Sequence, residues 1–325
     1  MKLSVFNPIL YDKTLEEAII YLKKLGVNAM EVGCGGFPGT THVNARELVK
    51  DPSKVEELKA LFTKYNMEIC ALSTHGNALH PNKEIAKEFQ ADFEATCKLA
   101  GLLGVETIIT FSGCPGDSDN AKYPNWVTCP WPEDFLQILD YQWDKLVTYW
   151  KKATAFAASC GVKKIALEMH PGFCVYNPLT CMKLREAVGD MIGANVDPSH
   201  LIWQGIDVPE AIRYLGKAVY HFHAKDTRID KRNTAISGVL DTRHYSDEIN
   251  RAWVFRTVGY GSNDTMWKDI FSMLNLIGYN GPVSIEHEDS VMIPTEGLEK
   301  AVKYLQGLMI ENPKPGTMSW AEVPQ

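Results

Sequence analysis

The sequence predicts a (β/α)8 TIM barrel, and three observations predict it. Short apolar runs alternate with amphipathic helical stretches from the first residues to about Leu308. Turns from helix to strand are short and carry Gly where the helix must stop, as in K-K-L-G-V-N, G-L-L-G-V-E, S-C-G-V-K and L-I-G-Y-N-G, whereas the segments after the strands are longer and richer. Four of the apolar runs end in a residue that can bind a metal. Those residues lie far apart in sequence, so the fold must point many strand ends at one spot.

Taken in order, strands are expected at residues 3–7, 29–33, 68–73, 107–112, 164–168, 193–197, 219–224 and 283–286. Helices are expected at 15–25, 54–65, 84–103, 134–160, 178–188, 209–215, 266–277 and 296–308. Strict alternation implies a parallel sheet, and eight such units close a barrel. The second strand is followed by G-C-G-G-F-P-G-T-T-H. This reads as a sharp turn, because the alternative, a phosphate cradle of backbone amides, lacks both a Walker pattern and an immediate helix. The fourth is followed by S-G-C-P-G-D, running on to Y-P-N-W-V-T-C-P-W-P, and the seventh by a long segment at 226–265. One catalytic domain is expected at 1–310. The tail at 311–325 cannot continue a helix, and is either a loose end or an arm on a neighbouring subunit of an oligomer.

Composition narrows the function. A chain of 325 residues suits one barrel with insertions, and 45% hydrophobic with 22% charged residues is globular. The net charge of −7 argues against nucleic acid as a partner. No apolar run approaches the roughly 18 residues of a membrane span. The start, M-K-L-S-V-F-N-P-I-L-Y-D, reads as a first strand and not as a secretory signal. The eight Cys are scattered without a C-x-x-C pair, which reads as reduced thiols in a cytoplasmic protein.

The candidate metal ligands are Glu168 in I-A-L-E, Asp197 in I-G-A-N-V-D, His223 in V-Y-H-F-H and Glu286 in V-S-I-E. Three carboxylates and one imidazole suit Mn2+ or Mg2+ better than a structural zinc site, with Co2+ and Zn2+ as further options. Side chains alternate along a strand. His170 therefore shares a face with Glu168, Asn195 with Asp197, His221 and Lys225 with His223, and Ser284 and Glu288 with Glu286. A barrel interior is normally Val, Ile and Leu. Burying these groups is costly unless a cation and a polar substrate meet them. Any one acid taken alone is equally well a helix cap or a surface carboxylate.

Around this set, His170 offers a further acid/base. His200 in D-P-S-H and His75 in S-T-H-G-N are candidates for substrate hydroxyls or for loop hydrogen bonds, with Asn77 beside them. His221 and Lys225 are assigned to the substrate on their shared face. The loop aromatics Phe37, Tyr123, Trp126, Trp131, Phe173, Tyr176 and Trp203 either stack on a sugar or an aromatic aglycone, or pack the loops.

The motifs E-M-H-P-G, D-P-S-H, H-A-K-D, Gly259-x-Gly261 before Trp267, and S-I-E-H-E-D, in this order, resemble the sugar isomerase/epimerase superfamily, the xylose-isomerase-like barrels. The resemblance covers the chain to about Leu308. It implies one Mn2+-like ion on Glu168, Asp197, His223 and Glu286. It implies Glu168 and Glu286 as the acid/base pair, and substrate contacts from His200 and Arg228. The catalytic subunits of C-glycoside deglycosidases, which act on 3-keto-glycosides, are similar in type, and that likeness implies a small β-rich partner subunit. The endonuclease IV branch of DNA repair needs further His ligands, one on strand 4, where this chain reads T-F-S-G-C.

Overall fold

The computed structural model describes residues 1–310 and holds a closed barrel of parallel strands. The strands are β1 (Lys2–Phe6), β2 (Ala29–Gly33), β3 (Glu68–Ser73), β4 (Thr107–Phe111), β5 (Lys164–Glu168), β6 (Ile192–Val196), β7 (Val219–Ala224), β8 (Asp226–Ile229), β9 (Trp253–Arg256) and β10 (Pro282–Ile285). The barrel runs β1-β10-β7-β6-β5-β4-β3-β2, while β8 and β9 pair separately. Each expected barrel strand is present, its ends within one residue of the expected bounds. The expected tail at 311–325 lies outside the described residues.

The period-two alternation sorts the strands into two faces. Outward residues such as Val5, Val32, Leu72, Ile108, Ile165 and Leu167 join the ring of helices in one buried core. Inward, Ala71, Ile109 and Ala166 make a small apolar cluster. Glu31, Asn195, His221, His223 and Ser284 are also fully buried, so the usual aliphatic filling gives way to polar groups. The helices start on side-chain caps, such as the reciprocal Thr14–Glu17 box before helix Leu15–Lys24. Helix Lys83–Leu103 stops at Gly104, whose φ of 72° only Gly adopts without strain.

The glycine-rich segment after β2 is a turn. Gly36 has φ +68°, and a side chain there would strike the His75 carbonyl. Its N–H donates to Asp92 Oδ2 at 2.9 Å, and Phe37 N–H donates to the His75 carbonyl at 2.8 Å. The turn lays Phe37 and Pro38 along the mouth of the barrel.

Residues 226–265 depart from the single long loop expected. They contain the antiparallel hairpin β8–β9 and helix Lys231–Ser237. β8 reads D-T-R-I and β9 W-V-F-R, and four residues each are too short for an alternation signal to stand out. Trp253 stacks on Trp203 with centroids 4.6 Å apart and rings 3° from parallel, fastening the hairpin to helix Pro198–Trp203. The motif Gly259-x-Gly261 with Trp267 acts as an anchor. Asp226 Oδ2 accepts from the N–H of Gly259 (3.0 Å), Gly261 (3.1 Å) and Ser262 (3.0 Å), and from the Trp267 indole (3.1 Å). A Cβ on Gly261 would lie 2.6 Å from the Thr227 backbone. Asp226→Ala strands these four donors and the Thr227 N–H held by Oδ1, and is expected to cost about 3 kcal/mol or more. Urea unfolding of the variant against wild type checks this.

Candidate active site

The ends of β5, β6, β7 and β10 bring Glu168, Asp197, His223 and Glu286 together, one ligand atom of each within 4.8 Å of the others. Asp197 caps helix Pro198–Trp203, which explains the D-P-S-H spacing. Pro takes the first helical position, and Ser199 N–H donates to Asp197 Oδ1 at 2.8 Å. Among the described residues Oδ2 has no hydrogen-bond partner, and it belongs to the cluster. A carboxylate that looks like a cap in the sequence therefore has one oxygen for the helix and one for the site.

His223 shows the same division. Its Nε2 sits 3.0 and 2.9 Å from the two oxygens of Glu31, and a carboxylate only accepts, so Nε2 carries the proton. Nδ1 lies 3.2 Å from Glu168 Oε2 and 3.0 Å from Glu286 Oε2, without a hydrogen bond to either. His200 Nε2, 3.2 Å from Glu168 and 3.3 Å from Asp197, is also without one, as is Glu286 Oε2. Unpaired buried polar atoms cost roughly 1–3 kcal/mol each. Here they converge on a common region rather than pairing with each other. The surrounding charge points the same way. Among the described residues, Glu168, Asp197, Glu286 and Glu288 share one fixed cation, Lys225, whose Nζ lies 3.3 Å from Asp197, 3.2 Å from Glu286 and 3.0 Å from Glu288. The donor set fits one divalent cation.

The electrostatics follow from burial and these neighbours. Burial, reinforced by Glu168 and Glu286, raises the Asp197 carboxyl to about 7 against the pull of Lys225. Burial opposes ionisation of Glu286, but Lys225 and His223 hold it at about 2. His223 loses stability as a cation through burial, yet Glu31 and Glu286 raise it well above the ordinary imidazole value. His170 is pushed down to about 3, by burial first and then by His200, and is neutral near pH 7. Its Nδ1 lies 2.6 Å from the Pro171 carbonyl, so Nδ1 carries the proton and Nε2 is left as an acceptor.

A cavity of about 220 Å3 opens over the cluster, lined by His75, Glu168, His170, Lys225, Glu286 and Glu288 among others. Phe6, Phe37 and Phe111 supply apolar wall. Phe111 packs 4.7 Å from His75 and 4.8 Å from His170, fixing both rings. His75 Nε2 also meets Glu168 Oε2 at 3.0 Å, and Asn195 donates to the same oxygen at 3.2 Å.

Three of the expected substrate contacts lie elsewhere. Trp203 is buried in the stack under the hairpin. Arg228 is exposed on β8, beyond the cavity wall. His221 is fully buried one layer below, with Nε2 2.9 Å from Glu31. Asn77, beside His75, bonds the backbone at Cys114 and positions a loop.

The residue that sequence reasoning missed is Glu31. It is fully buried in β2 and pairs with both His221 and His223, while Ser73 donates to it. The available signal was one carboxylate at an inward position of the apolar run A-M-E-V-G. Such a partner orients a ligating imidazole and raises its basicity. Glu31→Gln is expected to weaken divalent-ion binding by about 10–100-fold, read by equilibrium dialysis.

Known proteins share this architecture. Protein YfiH of Bacillus subtilis (strain 168), itself uncharacterized, is 42% identical over 309 residues, covering 94% of this chain and 98% of its own. The IolI structure with a bound zinc atom matches with a TM-score of 0.65 at 20% identity, covering 95% of this chain and 98% of its own. The 3-keto-D-glucoside 4-epimerase YcjR of E. coli matches at 0.63 with 15% identity, covering 94% and 99%. At these identities the two structures speak for the fold. The family model described as xylose isomerase-like TIM barrel matches residues 19–308, and the chain belongs to that family.

Proposed function

We propose that this protein is a divalent-metal-dependent enzyme that removes a proton beside a carbonyl of a sugar or keto-sugar, as an isomerase or epimerase. The observation that carries the reading is the convergence of Asp197 Oδ2, His223 Nδ1 and Glu286 Oε2, none of them hydrogen-bonded among the described residues, with Glu168 at the floor of a polar cavity. Glu168, Asp197, His223 and Glu286 would hold the ion. Mn2+ suits this oxygen-rich set best, with Mg2+, Co2+ and Zn2+ as alternatives; the zinc in IolI keeps the last in play. When bound, the ion supplies Lewis acidity that stabilises negative charge on a carbonyl oxygen, worth several kcal/mol.

The protein's own groups do the proton work. Glu286 is the more accessible carboxylate, with a side chain 17% exposed towards the cavity, and it is held ionised, the state a base requires. Glu286 can give the same proton back to the neighbouring carbon, which is isomerisation. For epimerisation Glu168, fixed by His75 and Asn195, would deliver a proton drawn from solvent to the other side of the sugar, while Glu286 loses its own to solvent. His170, neutral with Nε2 free to accept, and Lys225, a donor, would orient substrate hydroxyls. His75 and Asn195 hold Glu168 in place, and His200, whose Nε2 lies 3.2 Å from Glu168 without a hydrogen bond among the described residues, would meet a substrate hydroxyl. The keto-sugar epimerase YcjR supports this substrate class, and the family's name supports the reaction type.

A second reading, elimination of an aglycone from a 3-keto-glycoside, uses the same first proton transfer and differs in what leaves. The test is to incubate the metal-loaded protein with ketoses and with 3-keto-O- and 3-keto-C-glycosides, and to identify products by NMR. A new epimer or isomer supports proton return. Free aglycone supports elimination. No product from any of them, with or without a small β-rich partner subunit added, counts against both.

A further inference from the structure

We infer that the substrate has two parts, and that a second cavity beside the catalytic one binds a neutral aromatic group attached to the sugar. This rests on the sugar reading above and names the substrate class of the same site. The second cavity, of about 410 Å3, is walled by Tyr245, Val254 and Phe255, with Glu248 and Ser290 on its rim. His170 and Glu288 line both cavities, so the two adjoin at these side chains. The catalytic cavity alone, at about 220 Å3, is below the roughly 300–1,000 Å3 of pockets for larger ligands; the pair falls within that range.

The walls specify the occupant. The rings of Tyr245 and Phe255 are nearly parallel, at 22°, with centroids 5.8 Å apart; Lys225 lies over Phe255 and Arg251 over Tyr245, so a planar ring would pack beside this pair in offset or edge contact. Both acids in the lining are already met by cations. Glu248 binds Arg256 at 2.6 Å, and Glu288 shares Lys225, at 3.0 Å, with Asp197 and Glu286 on the catalytic side. The cavity therefore asks for no cation, and its carboxylates repel an anion. What remains is an apolar, planar, uncharged group joined to the sugar near His170 and Glu288. The chemical class is an aryl glycoside.

The test uses two ligands that differ only in the appended group, the methyl and phenyl 3-keto-glucosides. Each is titrated calorimetrically into the full-length, metal-loaded chain. Phenyl binds about tenfold tighter or more if its ring leaves water in this cavity. The phenyl-to-methyl ratio falls towards one in Tyr245→Ala, which removes a wall at a side chain 53% exposed. It falls likewise in Ser290→Trp, which fills the cavity from its exposed rim. A ratio near one in wild type, or a ratio unmoved by both variants, overturns the inference. Deuterium exchange on the methyl glycoside is scored separately. Exchange without phenyl preference overturns the second subsite and leaves the proposed reaction standing. Phenyl preference without exchange supports the subsite and counts against the reaction. Binding of neither ligand overturns both.

Discussion

Glu286→Gln is expected to lower turnover by about 10²–10⁴-fold, the usual contribution of a positioned general base. The amide keeps the shape and an oxygen for the ion, but it cannot take a proton. Glu168→Gln is expected to do the same from the other side of the sugar. The fold should survive both changes, because each removes one negative charge from a cluster in which carboxylates outnumber fixed cations. The check is kcat beside a thermal melt and a metal assay on each variant. Near-wild-type kcat in either one, with metal retained, would overturn the acid/base assignment.

The second large effect is the response to a divalent ion. An ion that binds only the folded chain at a hundredfold excess over its Kd stabilises it by about 2.7 kcal/mol. Here it also answers polar atoms that otherwise lie unpaired. Stripping the protein with a chelator and adding Mn2+ back is expected to raise Tm by roughly 5 °C. Uptake should release protons. Asp197 titrates at about 7 in the ion-free protein, and His223 is held protonated above its ordinary value. Both must be bare to bind an ion. Apparent affinity therefore falls as pH drops through 7, and is fullest above it. Calorimetry in two buffers of different ionisation enthalpy measures the protons released. No proton release and no change in Tm would mean that these four residues do not bind the ion together.

The barrel was legible because its signals are local and repeated. Eight apolar runs, Gly stops such as Gly104, and long segments after the strands all point to one topology. That the four candidate ligands come together was legible because each ends a strand, and a barrel collects strand ends. What stayed hidden depends on side chains meeting across the barrel or on short elements. Glu31 sits between Met30 and Val32 like a solitary exception, and only the register of β2 with the rest of the barrel brings it to His221 and His223. The hairpin β8–β9 hid because each strand has only four residues, and with it the role of Trp203, which packs against Trp253. Arg228 was expected at the substrate from the family resemblance, but it falls on a strand outside the barrel, paired with Val254. The second cavity could not be read from sequence, since Tyr245, Phe255 and Glu288 come from three separate segments.

The most direct test of the central claim is deuterium wash-in at the carbon beside the carbonyl, followed by NMR in D2O. A keto-sugar substrate identified in the product screen is incubated with the protein loaded with Mn2+, with the same protein after chelation, and with Glu286→Gln. Exchange by the loaded wild type alone is the predicted result. Equal exchange after chelation, or undiminished exchange by Glu286→Gln, would contradict metal-assisted proton abstraction at this site.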